Sequence, residues 1–95
     1  MIVRALRLKH FRNLSDVSLE PNGRFNIFAG PNGQGKTNLL EALYMLSAVK
    51  SFRPQTNAQL IEFGEAEATL EALVDRGGSE RVVKIEVTAR GKKIY

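Results

Sequence analysis

Between Phe25 and Leu46 the chain reads FNIFAGPNGQGKTNLLEALYML. The eight residues Gly30-Pro31-Asn32-Gly33-Gln34-Gly35-Lys36-Thr37 fill every required position of the pattern G-x-x-x-x-G-K-[ST]. The flanks are what such a loop needs. Phe25-Asn26-Ile27-Phe28-Ala29 is a nearly continuous apolar run that suits a strand buried on both faces. After the loop, Leu39, Leu40, Leu43 and Leu46, with Ala42, Met45 and Val49, recur at helical spacing and predict a largely buried helix from about Thr37 to Val49. A strand, a glycine-rich turn and a helix in that order make a receptor for a triphosphate: a row of backbone N–H groups at the positive end of a helix dipole.

Each residue type in the loop has a chemical reason. Gly30, Gly33 and Gly35 let the backbone approach phosphate oxygens where a side chain would block it, and Pro31, Asn32 and Gln34 complete the cradle between them. Lys36 brings a mobile cation to the β and γ phosphates, and Thr37 offers its hydroxyl to Mg²⁺. A dinucleotide-binding loop is a poor competitor, because Gly33-Gln34-Gly35 runs into Lys36, Thr37 and Asn38 with no third glycine in place. The ligand class expected is ATP with Mg²⁺.

The rest of the chain reads as one continuous α/β piece of 95 residues without repeats or linkers. Ile2 to Lys9 and Asp16 to Glu20 are strand-like, with a turn over Arg12, Asn13, Leu14 and Ser15, and Pro21-Asn22-Gly23 is a second turn. Pro54 bars helix continuation, and Ala58 to Phe63 suggests a short helical turn ended by Gly64. Ala66 to Asp75 and Val83 to Ala89 alternate with a period of two. They predict an antiparallel pair joined through Arg76-Gly77-Gly78-Ser79. Gly91-Lys92-Lys93 reads as another turn, with Ile94-Tyr95 as the first step of a further strand and the chain as part of a longer head.

Charge and composition narrow the partners. Lys and Arg number 14 against 10 Asp and Glu, a net charge of +4 that favours an anionic partner. The basic residues gather at Arg4, Arg7, Lys9, His10 and Arg12 and again at Lys92-Lys93, either as a contact surface or as solvated faces. There is no cysteine, which excludes a thiolate metal site or nucleophile and a disulfide framework. No apolar run approaches the length of a membrane span or a signal core, so a soluble, cytoplasmic protein without a membrane partner is expected. His10 is the single histidine and is read as a strand-end residue, and Asp75 is read as a turn residue beside Arg76-Gly77-Gly78. No other acidic strand end is present to serve a hydrolytic site. The expectation is binding, with no catalytic residue assigned and no hydrolysis by these residues alone.

The loop together with its flanks LKHFRNL (Leu8 to Leu14), NLLEA (Asn38 to Ala42) and SFR (Ser51 to Arg53) resembles the start of the RecF family of DNA replication and repair ATPases. These are relatives of the chromosome-maintenance and Rad50-type ATPases. The resemblance implies an N-terminal lobe of a P-loop NTPase head of ATP-binding-cassette type, with mixed or antiparallel strands around one P-loop helix. It implies ATP and Mg²⁺ as cofactors, single-stranded or gapped duplex DNA as partner, an ATP-dependent homodimer in the complete protein, and mediator proteins of the RecO and RecR families. Arg12 and Asn13 match the family segment lying near the nucleotide, or serve only as turn residues. Arg53 is read either as a contact to DNA or the partner head or as half of a surface ion pair. The family's signature motif and acidic strand end have no counterpart here. Another P-loop ATPase or kinase, or a nucleotide-binding remnant without activity, remains the alternative on residues alone.

Overall fold

The alternating residues at the N-terminus form strand β1 (Ile2–Phe11), which turns at once into β2 (Leu14–Leu19) and then, past Pro21-Asn22-Gly23, into β3 (Phe25–Ala29). Helix α1 (Gly35–Ser47) follows, and β4 (Glu67–Arg76), β5 (Ser79–Thr88) and β6 (Gly91–Ile94) complete the chain. The computed structural model describes residues 2–29, 35–47 and 60–95. Residues 30–34 of the loop, Val49, Ser51-Phe52-Arg53, Pro54 and Ala58 lie outside the described residues.

The six strands form one sheet in the order β3-β2-β1-β4-β5-β6. Every neighbouring pair is antiparallel. One sheet face is apolar. Leu6, Leu8 and Phe11 of β1, Leu14 and Val17 of β2, Ala68, Leu70, Ala72 and Val74 of β4, and Ile85 and Val87 of β5 are all buried. Ala42, Met45 and Leu46 of α1 join the same cluster, with Leu60 beside them. The spacing on β1 shows a device at work. Leu6 and Leu8 alternate inward as a strand requires, but the next inward residue is Phe11, because His10 adopts a left-handed φ of 56° and resets the alternation.

The opposite face is polar and charge-balanced. Register sets Arg7 and Lys84 on either side of Glu71, Lys93 opposite Glu86, and Lys9 opposite Asp16. The last of these forms an ion pair at 3.6 Å. Cross-strand pairs of opposite sign stabilise a solvated sheet face modestly.

Three expectations change. Strand β3 is exposed along its whole length, with Phe28 67% exposed. It is an edge strand with β2 as its neighbour among the described residues, and α1 lies over β1, β2, β4 and β5 instead. On α1 the buried stripe is narrower than the leucine spacing suggests, since Leu40 is 67% exposed. The turn before β6 is Ala89-Arg90, and Gly91-Lys92-Lys93 belongs to the strand. Thr88 accounts for this: its hydroxyl accepts the Arg90 N–H at 3.3 Å and donates to the Gly91 carbonyl at 3.4 Å. That closes the turn one step earlier than the glycine suggested.

The hairpin of β4 and β5 follows its pattern closely. Gly77 and Gly78 have φ of 60° and 87°, the two positive values of a type I′ turn. The Gly78 N–H donates to Asp75 at 2.9 Å. Residue Leu70, fully buried on β4, sits among β1, β5 and the helix-covered core. Leu70→Ala is therefore expected to lower stability by about 2–5 kcal/mol, read as a shift of the urea midpoint; an unchanged midpoint would contradict the placement of the core.

Candidate nucleotide-binding site

Helix α1 begins with the last three residues of the motif, Gly35, Lys36 and Thr37. Its first turn holds no acidic residue, so nothing on the helix itself neutralises the N–H groups and partial positive charge at that end. Lys36 and Thr37 are exposed, whereas Asn38, the next residue, is only 7% exposed. The helix therefore keeps its cation and hydroxyl accessible and turns its following residues inward. These residues fit a bound polyphosphate with a divalent cation: a lysine, a hydroxyl and an uncompensated helix start.

The inward-facing polar residues meet the turn between β1 and β2. Arg12 and Asn13 form that two-residue turn, and Arg12 carries a φ of 53°. Left-handed φ at the first turn position normally selects glycine. Arg12 nevertheless occupies it, and its guanidinium grips Glu41 with both ends: Nε donates to Oε1 and Nη2 donates to Oε2 at 3.0 Å. Beside it, the Asn38 amide donates to the side-chain oxygen of Asn13. Asn38 and Glu41, three residues apart, share one helix face. Arg12 and Asn13 are thus turn residues, as the composition suggested, and they also lie against the first two turns of α1.

A second set of ties holds the other side of the turn. The Arg12 N–H donates to the Leu60 carbonyl at 2.8 Å, and the Glu62 N–H donates to the His10 carbonyl at 2.7 Å. His10 stands between two carboxylates, with Nδ1 at 2.8 Å from Glu62 and Nε2 at 3.3 Å from Glu65. Ser15 donates its hydroxyl to the second oxygen of Glu62. This Ser15 contact and that of His10 hold the Glu62 carboxyl below its ordinary value of 4.5. Asp75, expected as a turn residue, is the penultimate residue of β4, where its carboxylate accepts from Arg4 at 3.1 Å and from the Gly78 N–H of the hairpin turn.

Four of the five basic residues of the N-terminal cluster meet acids, Arg4 with Asp75, Lys9 with Asp16, His10 with Glu62 and Glu65, and Arg12 with Glu41, while Arg7 lies across from Glu71 in the register. Sequence reasoning assigned no role to Asn38, Glu41 or Glu62. For the first two a signal existed: a pair of polar residues at i and i+3 within an otherwise apolar helix stripe. Glu62 gave none, because its partners lie 47 and 52 residues away.

The antiparallel sheet, with one helix among the described residues that opens on Gly-Lys-Thr, is the N-terminal lobe of a P-loop ATPase head. The family described as "RecF/RecN/SMC N terminal domain" matches residues 2–93, and the chain belongs to that family. It is 46% identical over 88 residues to the DNA replication and repair protein RecF of Geobacter sp. (strain M21), covering 93% of this chain and 24% of the relative. To the RecF protein of Lactobacillus gasseri it is 40% identical over 95 residues, covering 100% of this chain and 25% of that one. A solved structure described as the recombination mediator protein RecF with ATP in the RecFOR pathway superposes with a TM-score of 0.69 at 28% identity, over 98% of this chain and 26% of that one. A second RecF structure, described with ATPrS, gives 0.71. The chain spans about a quarter of the length of these relatives. Among the described residues no helix is long and apolar enough to cross a membrane.

The ties at Glu62 make the placement of the β1–β2 turn sensitive to acid. A carboxyl whose pKa is depressed by folding contributes stability that is present above its ordinary value and is lost as pH falls through the depressed one. Ser15→Ala removes the largest contribution to the depression. The variant is expected to be less stable than the parent by about 1 kcal/mol at neutral pH. The deficit should shrink as pH falls below 4.5 and the Glu62 carboxylate is protonated, as followed by chemical denaturation across pH. A deficit independent of pH would mean that Ser15 acts through packing alone.

Proposed function

We propose that this chain forms the ATP-binding N-terminal part of a RecF-type protein of DNA replication and repair. One observation carries the proposal: a complete G-x-x-x-x-G-K-T motif whose final residues open α1 with Lys36 and Thr37 exposed and no acid in the first turn. The likeness to RecF structures described with ATP supports it. In this reading Gly30, Asn32, Gly33, Gln34 and Gly35 present backbone N–H groups to the phosphates, and Pro31, which has no N–H, completes the loop between them. Lys36 neutralises the β and γ phosphates, Thr37 ligates Mg²⁺, and Arg12 with Asn13 forms the flank of the site. Bound Mg²⁺ would supply charge neutralisation to the phosphates. No residue of this chain is assigned to hydrolysis.

The proposal extends to the intact protein as a cytoplasmic ATPase head that binds single-stranded or gapped duplex DNA, pairs with a second copy when ATP is bound, and acts with mediators of the RecO and RecR families. The pairing of the N-terminal basic cluster with acids bears on where DNA lies. Arg4, Lys9, His10 and Arg12 are each engaged by a carboxylate, and the polar sheet face alternates in sign. A DNA track needs uncompensated cations, which argues against these four residues as its main contacts.

Two experiments test this. Lys36→Ala in the intact protein is expected to weaken ATP binding by about 10- to 100-fold in equilibrium dialysis, the range for losing charge-assisted contacts. Because the residue is exposed, its thermal midpoint should match that of the parent; unchanged affinity would refute the role of the motif. DNA binding by the intact protein should rise with ATP and fall steeply with salt. Indifference to both would refute the ATP-dependent DNA-binding part of the proposal.

A further inference from the structure

We propose that Glu41 and Asn38 are positioning residues for the nucleotide site, clamping the β1–β2 turn onto the first two turns of α1 so that turn and helix start behave as one body. This rests on the reading of Lys36 and Thr37 as ATP ligands. The observations are four side chains and one strained backbone. Arg12 gives Glu41 a two-pronged contact, and Asn38, nearly buried, donates to Asn13. Both helix residues lie close to Thr37: Asn38 follows it directly, and Glu41 is four residues on, just over one turn and a rise of about 6 Å along the axis.

The turn has reason to drift without these contacts. Arg12 holds a left-handed φ of 53°, which costs a non-glycine residue about 1–2 kcal/mol, so the backbone is kept there by what the side chain and the N–H grip. On one side the N–H is fixed to Leu60; on the other, the side chain is fixed to α1. Strain retained at such a position is a mark of a site that must be held in one geometry. There is also an electrostatic consequence. A bare carboxylate at Glu41 would face the same end of the helix that receives phosphate, and the Arg12 guanidinium neutralises it. Lysine cannot replace that function, because a single ammonium lacks the planar fork that fixes the direction of approach.

The test is ATP affinity of the intact protein, measured by equilibrium dialysis with Lys36→Ala as reference. Glu41→Gln and Arg12→Lys are each expected to weaken binding about three- to tenfold, and the double variant to be no weaker than the weaker single, because both changes break one contact. Arg12→Gly relieves the backbone strain while removing the guanidinium, and it should lose affinity to the same degree. Thermal midpoints are recorded in parallel, and Glu41→Asp, which keeps the charge but shortens the reach, replaces Glu41→Gln if that variant does not fold. Parental affinity in Arg12→Lys together with Glu41→Gln, or a double variant whose loss is the product of the singles, overturns the clamp. Lowered midpoints with parental affinity of the folded protein also overturn it, since they show a purely structural pair. If Lys36→Ala itself binds ATP like the parent, the underlying ATP reading fails instead.

Discussion

The contact of Arg12 with Glu41 sets how helix α1 sits on the sheet at the end that matters. The far half of α1 is held by burial: Ala42, Met45 and Leu46 lie in the apolar face of β1, β2, β4 and β5. Burial is non-directional and leaves a helix free to roll or slide by small amounts. The near half is held by directional polar contacts, the guanidinium fork on Glu41 and the amide pair of Asn38 and Asn13. A phosphate-binding helix start depends on direction, because the N–H groups and the Lys36 and Thr37 side chains must converge on one ligand. Core packing holds the helix in place, and the polar pairs define which way its first turn faces.

The same logic runs through the sheet. Its register is set by which residues must be inward, and at two places β1 departs from simple alternation. At His10 a left-handed residue turns Phe11 into the core. Between Val3 and Ala5 the register with β4 shifts, and Arg4 meets Asp75. At both departures a basic side chain meets a carboxylate, His10 at Glu62 and Glu65 and Arg4 at Asp75. A chain with net positive charge thus presents a largely neutralised sheet surface.

Much of this was legible in the residues because it is local. The β4–β5 hairpin follows from a period of two and a Gly-Gly turn, and α1 from apolar spacing. What failed was what depends on distant neighbours. An apolar pentapeptide such as Phe25 to Ala29 has the composition of a central strand, yet nothing within it says which strands flank it or what the helix covers; β3 is at the sheet edge and exposed among the described residues. The turn before β6 was displaced by a side chain, Thr88, that reading for glycine overlooked. The partners of the site, Glu41 for Arg12 and Glu62 for His10 and Ser15, lie 29 to 52 residues away in sequence. Only the fold brings them together.

The central claim is that the start of α1 and the β1–β2 turn form two sides of one ATP site. Hydrogen–deuterium exchange on the intact protein, with and without ATP and Mg²⁺, tests it most directly, because exchange reports local opening segment by segment. The account predicts that ATP slows exchange both at the α1 start, Gly35 to Asn38, and at the β1–β2 turn, Arg12 to Ser15, with the β4–β5 hairpin unaffected. Protection confined to other segments, or protection of the helix start with the turn unchanged, would contradict it.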